Sequence, residues 1–218
     1  MKDHQIDSVI KILKKELSIG RMPIVSHLAE NERNPFVILM STLLSLRTKD
    51  DVTAVATERL MKLASTPEEM LKVPIRKIEK AIYPVGFYRV KARSIHHVSE
   101  ELIKRFSSRV PDNLDDLLSI KGVGRKTANL VIALAYGKDA ICVDTHVHRI
   151  SNRLGYIKTK TPEETEFALR KKLPRRHWII YNTIMVAFGQ TTCKPVSPLC
   201  TKCPVYKYCD RVGVTVSR

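Results

Sequence analysis

Four of the five cysteines lie close together near the end of the chain, in the spacing C-x6-C-x2-C-x5-C: Cys193, Cys200, Cys203 and Cys209. Four thiolates so close together in a cytosolic chain argue for a metal site and against disulfides. Structural zinc sites usually show two close Cys pairs, and this segment has one. A cubic 4Fe–4S cluster takes four thiolates and accommodates a wider first loop. The spacing favours a 4Fe–4S cluster at 193–209, with zinc and then two disulfides as alternatives.

Apolar residues recur at helical spacing in most other segments, for example in PFVILMSTLLSL, DVTAVATERLMKLA and HWIIYNTIMVAFG. Thr66 and Thr161 each precede a proline and two acids, a pattern typical of helix starts. No segment shows a strand pattern of convincing length. The sequence therefore predicts an all-α protein with roughly ten helices.

The net charge is +16, from 38 Lys and Arg against 22 Asp and Glu. This excess predicts a polyanionic partner, with nucleic acid as the first candidate. An anionic membrane is less well supported, since no apolar run approaches the roughly 20 residues of a membrane helix. The N-terminal segment MKDHQIDSVI has no signal-peptide pattern. We expect a soluble, cytoplasmic protein.

The segment LLSIKGVGRKTANL predicts a helical hairpin. A short helix over Leu114–Ile120 leads into a turn with Gly122 and Gly124, and a second helix covers Arg125–Tyr136. A glycine turn at a helix N-terminus exposes backbone N–H groups that suit a phosphate oxygen. Since basic residues flank the turn, we interpret it as a grip on a nucleic-acid backbone, with simple helix packing as the alternative.

Lys126 is predicted in the first turn of the second helix, at the positive end of the helix dipole. An ammonium group there is destabilised relative to the neutral amine, which is the form that attacks sugar carbons and forms Schiff bases. A plain phosphate contact is the alternative. Asp144, in VDTHVHRISNRLG, fits an N-cap, but a carboxylate also stabilises a cationic transition state at a sugar carbon. Together these residues indicate chemistry at a deoxyribose.

KGVGRKTANLVIALAYG, VDTHVHRISNRLG and the four-cysteine tail resemble the endonuclease III family of helix–hairpin–helix DNA glycosylases, and TLLSLRTKDDVT and YPVGFYRVKA also match. The resemblance spans nearly the whole chain. It implies two helical lobes with a DNA-binding cleft between them. A six-helix lobe over 30–138 would carry the hairpin, and 1–29 with 139–218 would form the lobe with the 4Fe–4S cluster.

The resemblance also implies the activity, that of a bifunctional DNA glycosylase and AP lyase in base excision repair. Such an enzyme flips an oxidised pyrimidine out of double-stranded DNA, removes it and nicks 3′ to the abasic site by β-elimination. Lys126 would be the nucleophile and Asp144 the catalytic carboxylate. Gly122, Gly124 and Arg125 would hold the DNA backbone, and the cluster would shape a loop that presents Lys194 to DNA. We expect a monomer.

The chain departs from the family at the wedge, the two side chains that fill the gap left by the flipped base. The family commonly has Gln and Leu there, whereas this chain has Arg47 and Phe87. We expect Arg47 to favour guanine opposite the lesion, because guanine presents acceptors to its donors. A phosphate contact for Arg47 and a core position for Phe87 are the alternatives.

Two other functions stay open. With Arg47 at the first wedge position, the chain also resembles the T·G mismatch glycosylases. These typically carry Tyr where this chain has Lys126. A non-catalytic DNA-binding iron–sulfur protein is the third possibility, and trapping of a covalent complex with DNA would separate it from the enzyme.

Overall fold

The computed structural model describes residues 1–19, 22–31 and 34–218, without the side chains of 17–19 and 31. These residues form twelve α-helices and four short 3₁₀ turns, and they contain no strand, so the all-α prediction is confirmed. None of the described helices is both long and apolar enough to cross a bilayer. The helices are α1 (Ile6–Ile19), α2 (Ile24–Asn31), α3 (Pro35–Ser45), α4 (Asp50–Leu63), α5 (Pro67–Lys72), α6 (Ile75–Ile82), α7 (Tyr88–Phe106), α8 (Leu114–Ser119), α9 (Arg125–Tyr136), α10 (Thr145–Arg153), α11 (Pro162–Lys172) and α12 (Trp178–Thr191).

Local capping explains several of these boundaries. Thr66 accepts a hydrogen bond from the backbone N–H of Glu69 at 3.2 Å, and Thr161 accepts one from Glu164 at 3.1 Å. Both predicted helix starts are thus confirmed. Asn34 caps α3 in the same way through the N–H of Phe36, at 2.9 Å.

One compact unit comprises Ile24–Lys138 and is organised around α3. Nine consecutive α3 residues, from Phe36 to Leu44, are buried. A helix that is apolar on all sides belongs in the interior, and α3 packs there against α4, α7 and α9. The long helix α7 also packs against α5 and α6. This packing fixes the C-terminal end of α3 and the N-terminal end of α7, which carry the predicted wedge residues.

The other compact unit comprises Met1–Pro23 and Asp139–Arg218. Its core combines apolar side chains of α1, α10, α11 and α12. Val147 and Ile150 of α10 and its C-cap residue Leu154 are all buried in that core. The short helix α2 belongs to the first unit by its contacts, and the division into lobes 1–29 with 139–218 and 30–138 remains a proposal.

Candidate active site

The glycine hairpin between α8 and α9 uses its two glycines differently. Gly122 has φ +99°, a conformation that L side chains rarely adopt, so the turn itself requires glycine there. Gly124 is the N-cap of α9 with φ −92° and ψ 171°, which any residue adopts. A Cβ at Gly124 would meet no atom within 4 Å. The position of a Cβ at Gly124, next to the start of α9, is therefore open space.

Buried residues hold this hairpin in place. Val123, between the glycines, is 5% exposed, and its N–H donates to the carbonyl of the buried Ile120 at 3.0 Å. Gly124, the N-cap of α9, has no side chain with which to cap the helix. The first N–H groups of α9 thus form a site that favours an anion, beside the basic side chains of Arg125 and Lys126.

Lys126 is the second residue of α9 and is partly buried. Its positive charge acts on Lys91 of α7. Burial, and next the charge of Lys126, lower the pKa of Lys91 to about 8. The two lysines therefore lie near each other in this unit, and each positive charge disfavours the other.

Asp144 is the N-cap of α10 and is partly buried. Its Oδ1 accepts hydrogen bonds from the N–H groups of His146 and Val147, both at 2.9 Å. The capping prediction is therefore confirmed. Since both capping bonds end on Oδ1, the carboxylate is oriented without using Oδ2 for the cap. Asp144 and Lys126 belong to different compact units.

The four clustered cysteines line one small cavity of about 30 Å³. All four are free thiols, so the described structure does not form the disulfide alternative. Cys203 lies partly buried at the edge of the core. Burial raises the pKa of its thiol to about 11, with smaller contributions from the other three cysteines. A bound cation would offset the cost of ionising thiols packed in this way.

The donor set fits an iron–sulfur cluster, because four thiols line one cavity. Among the described residues, no three His, Cys, Asp or Glu side chains converge closely enough to hold one ion. Zinc would need its four sulfurs at about 2.3 Å from a common centre. In a 4Fe–4S cluster each thiolate binds a different iron, so the four sulfurs stand further apart around a shared cavity.

Arginines of α10 hold the first part of the cysteine segment. Arg153 donates to the carbonyls of Lys194 and Pro195, each at 2.6 Å. Arg149 donates to the carbonyl of Cys193 at 2.9 Å. The backbone at Lys194 is thus fixed from within its own unit. These arginines could not be identified from the sequence, because their role depends on backbone atoms about 40 residues away.

Arg47 and Phe87 lie together on the surface of the unit 24–138. Phe87 is 62% exposed, so the core alternative for it is wrong. The guanidinium carbon of Arg47 is 5.8 Å from the centre of the Phe87 ring. An exposed aromatic ring beside an arginine suits contact with unstacked bases.

A family model and several related sequences match most of this chain. A family model described as HhH-GPD superfamily base excision DNA repair protein matches residues 40–175. Endonuclease III of Thermotoga maritima is 48% identical over 179 residues, covering 82% of this chain and 84% of that protein. Endonuclease III of Bacillus subtilis is 37% identical over 177 residues, covering 81% of each. Against the chloroplastic endonuclease III homolog 2 of Arabidopsis thaliana the identity is 42% over 84% of this chain, which spans half the length of that relative.

Solved structures match the fold of this chain over more than nine-tenths of its length. A trapped endonuclease III–DNA covalent intermediate matches with a TM-score of 0.86 and 35% identity over 97% of each chain. A thermostable thymine-DNA glycosylase matches with a TM-score of 0.73 and 25% identity over 94% of this chain and 98% of that one. The family model and the relatives together show that the chain belongs to the endonuclease III family, the base excision repair DNA glycosylases and AP lyases of the HhH-GPD superfamily.

Proposed function

We propose that this chain removes oxidised pyrimidines from double-stranded DNA and nicks the strand 3′ to the abasic site, acting as a monomer. The observation that carries the proposal is the position of Lys126, partly buried in the first turn of α9 and directly after the Gly122–Gly124 hairpin. At this position the amine would reach the sugar next to a phosphate that the hairpin binds. One of the structural relatives is a trapped covalent endonuclease III–DNA intermediate, which supports a nucleophilic side chain.

In the proposed reaction the neutral amine of Lys126 attacks C1′ of the flipped nucleotide, and the C1′–N bond breaks with its electrons leaving on the base. The carboxylate of Asp144 stabilises the positive charge that develops on the sugar and accepts the proton of the attacking amine. The C1′–O4′ bond then breaks with its electrons leaving on O4′, which takes the proton that Asp144 accepted, and C1′ and the lysine nitrogen form a Schiff base. The Schiff base loses a proton from C2′, and the C3′–O bond breaks with its electrons leaving on the 3′ phosphate. Water then hydrolyses the Schiff base and frees Lys126.

Cys193, Cys200, Cys203 and Cys209 would hold a 4Fe–4S cluster. Its proposed contribution is structural: it fixes the conformation of the cysteine segment and keeps Lys194 directed towards DNA. No step of the base-removal chemistry depends on it.

A panel of duplexes tests the substrate. We expect base release from thymine glycol opposite guanine or adenine, and nicking of a preformed abasic site. A mismatch glycosylase is the second candidate, supported by Arg47 and by the likeness to the thymine-DNA glycosylase. Release of thymine from T·G with no activity on thymine glycol would establish that candidate instead.

The hairpin offers a matched pair of variants. Gly124→Ala fits the backbone, so the free energy of unfolding should fall by less than about 1 kcal/mol, the loss of a good N-cap residue. Its methyl group enters the open space next to the start of α9, so DNA binding should weaken at least about fivefold. Gly122→Ala must place a side chain at φ +99° and should instead destabilise the fold by about 1–3 kcal/mol. Thermal unfolding and gel-shift titration check both. Unchanged DNA affinity in a folded Gly124→Ala protein would show that the hairpin only packs.

The metal prediction is tested by elemental analysis of anaerobically purified protein. We expect about four iron atoms per chain and a brown colour. Cys203→Ser should lose the iron and weaken DNA binding. Cys142→Ser, in a buried cysteine outside the cluster segment, is the control and should retain the iron. One zinc per chain with no iron would contradict the prediction.

A further inference from the structure

Two strained turns carry the wedge residues. Arg47 follows α3 with φ +53°, and Phe87 precedes α7 with φ +58°. Both are left-handed conformations that are uncommon for residues with large side chains. Strain of this kind persists only where the surrounding structure holds it, and it concentrates at functional sites. The two turns therefore need a support that their own residues do not supply.

The side chain of Lys91, in the first turn of α7, supports the Arg47 turn. Its ammonium donates hydrogen bonds to the carbonyl of Leu44 at 2.7 Å, the carbonyl of Leu46 at 2.5 Å and the hydroxyl of Thr48 at 3.1 Å. These acceptors lie on both sides of Arg47 in the chain. The carbonyls belong to the C-terminal end of α3, where a positive charge is favoured.

The backbone of Lys91 is tied to the other turn. Its N–H donates to the carbonyl of Phe87 at 3.0 Å. The turns also touch directly, because a Cβ at Gly86 would lie 2.8 Å from the carbonyl oxygen of Arg47. That oxygen is a backbone atom and cannot swing aside. One lysine and one glycine thus connect the two turns.

Burial of the Lys91 ammonium carries an electrostatic cost. Lys91 is 9% exposed, and burial and the charge of Lys126 lower its pKa from 10.5 to about 8. A basic group with a lowered pKa in the folded state costs stability at neutral pH, and that stability returns as pH rises from about 8 to 10.5. The three acceptors at the Arg47 turn offset this cost, so the hydrogen bonds and not the charge alone fix the ammonium at that turn.

We propose that Lys91 is a positioning residue that holds the Arg47 turn against the Phe87 turn, so that both side chains meet DNA as one preformed wedge. This rests on the proposed function, in which Arg47 and Phe87 contact the duplex. Lys91 acts through the turns and does not itself touch DNA. Because the two turns are already fixed before binding, less conformational entropy is lost when the two side chains enter the base stack.

The test makes two measurements. The first is Kd for a duplex with a tetrahydrofuran abasic analogue. The second is the lyase rate on a single-stranded abasic oligonucleotide, which has no base stack for the wedge to enter. Lys91→Met should weaken duplex binding about tenfold and leave the single-strand rate within about threefold. Gly86→Ala displaces the Arg47 turn by a separate route and should do the same. It also keeps the test valid if Lys91→Met fails to fold. An equal loss on both substrates would overturn the proposal, because it would show that Lys91 affects the chemistry of Lys126 and not the wedge.

A double-mutant cycle provides the second readout. If Lys91 acts through Arg47, then adding Lys91→Met to Arg47→Ala should change duplex Kd by less than about twofold. Full additivity would overturn the proposal, as would wild-type affinity in both the Lys91 and Gly86 variants. Failure of the wild-type protein to nick abasic DNA is a different result, since it would reject the proposed function whatever the Lys91 variants show.

Discussion

Lys126→Gln should abolish strand nicking and the covalent protein–DNA adduct that borohydride traps. Glutamine keeps a similar length and polarity in the first turn of α9, but its amide nitrogen is not a nucleophile. Without the amine neither the attack on C1′ nor the Schiff base can form. We expect the single-turnover nicking rate to fall by more than about 10³-fold. Quantification of the trapped adduct on a denaturing gel is the direct measurement.

Lys121→Gln is the matched control, since it removes the same charge from an exposed lysine on the other side of the hairpin. It should weaken DNA binding by no more than about tenfold at moderate salt and retain the adduct. Persistence of the full adduct in Lys126→Gln would assign the nucleophile to another amine. Absence of any adduct in the wild-type protein, with DNA binding intact, would instead support a non-catalytic iron–sulfur protein.

The helices and their caps were predictable because their signals are local. Thr66 and Thr161 cap helices through hydrogen bonds to residues three positions ahead, and such spacing is visible in one sequence. The hairpin was predictable for the same reason, although only one of its glycines needs a left-handed backbone. The short helix α2 was missed, since eight residues span only about two turns.

The support of the wedge was not predictable. Lys91 donates to carbonyls 45 and 47 residues away, and one sequence does not show which backbone atoms the fold brings to a lysine. Nothing in the sequence places Arg47 in a left-handed turn either, because arginine has no preference for one. The cysteine spacing did indicate a metal site, but the number of irons depends on the distances between sulfurs and not on their order.

Asp144 combines a structural and a proposed catalytic role, and one substitution separates them. Asn is also a good N-cap and keeps the oxygen that accepts from His146 and Val147. Asp144→Asn should therefore change the free energy of unfolding by less than about 1 kcal/mol. It removes the negative charge that stabilises the developing cation on the sugar. We expect single-turnover base release to fall about 10²–10³-fold.

Asp144→Ala is the partner variant, because it removes the charge and the cap together. It should show the same loss of base release and a further loss of stability of about 0.5–2 kcal/mol. Nicking of a preformed abasic site should suffer less in Asp144→Asn than base release does, since the glycosidic bond is already broken there. If Asp144→Asn retains wild-type base release while Asp144→Ala loses both stability and activity, then the carboxylate serves α10 only as a cap, and the charge on the sugar must be stabilised by another group.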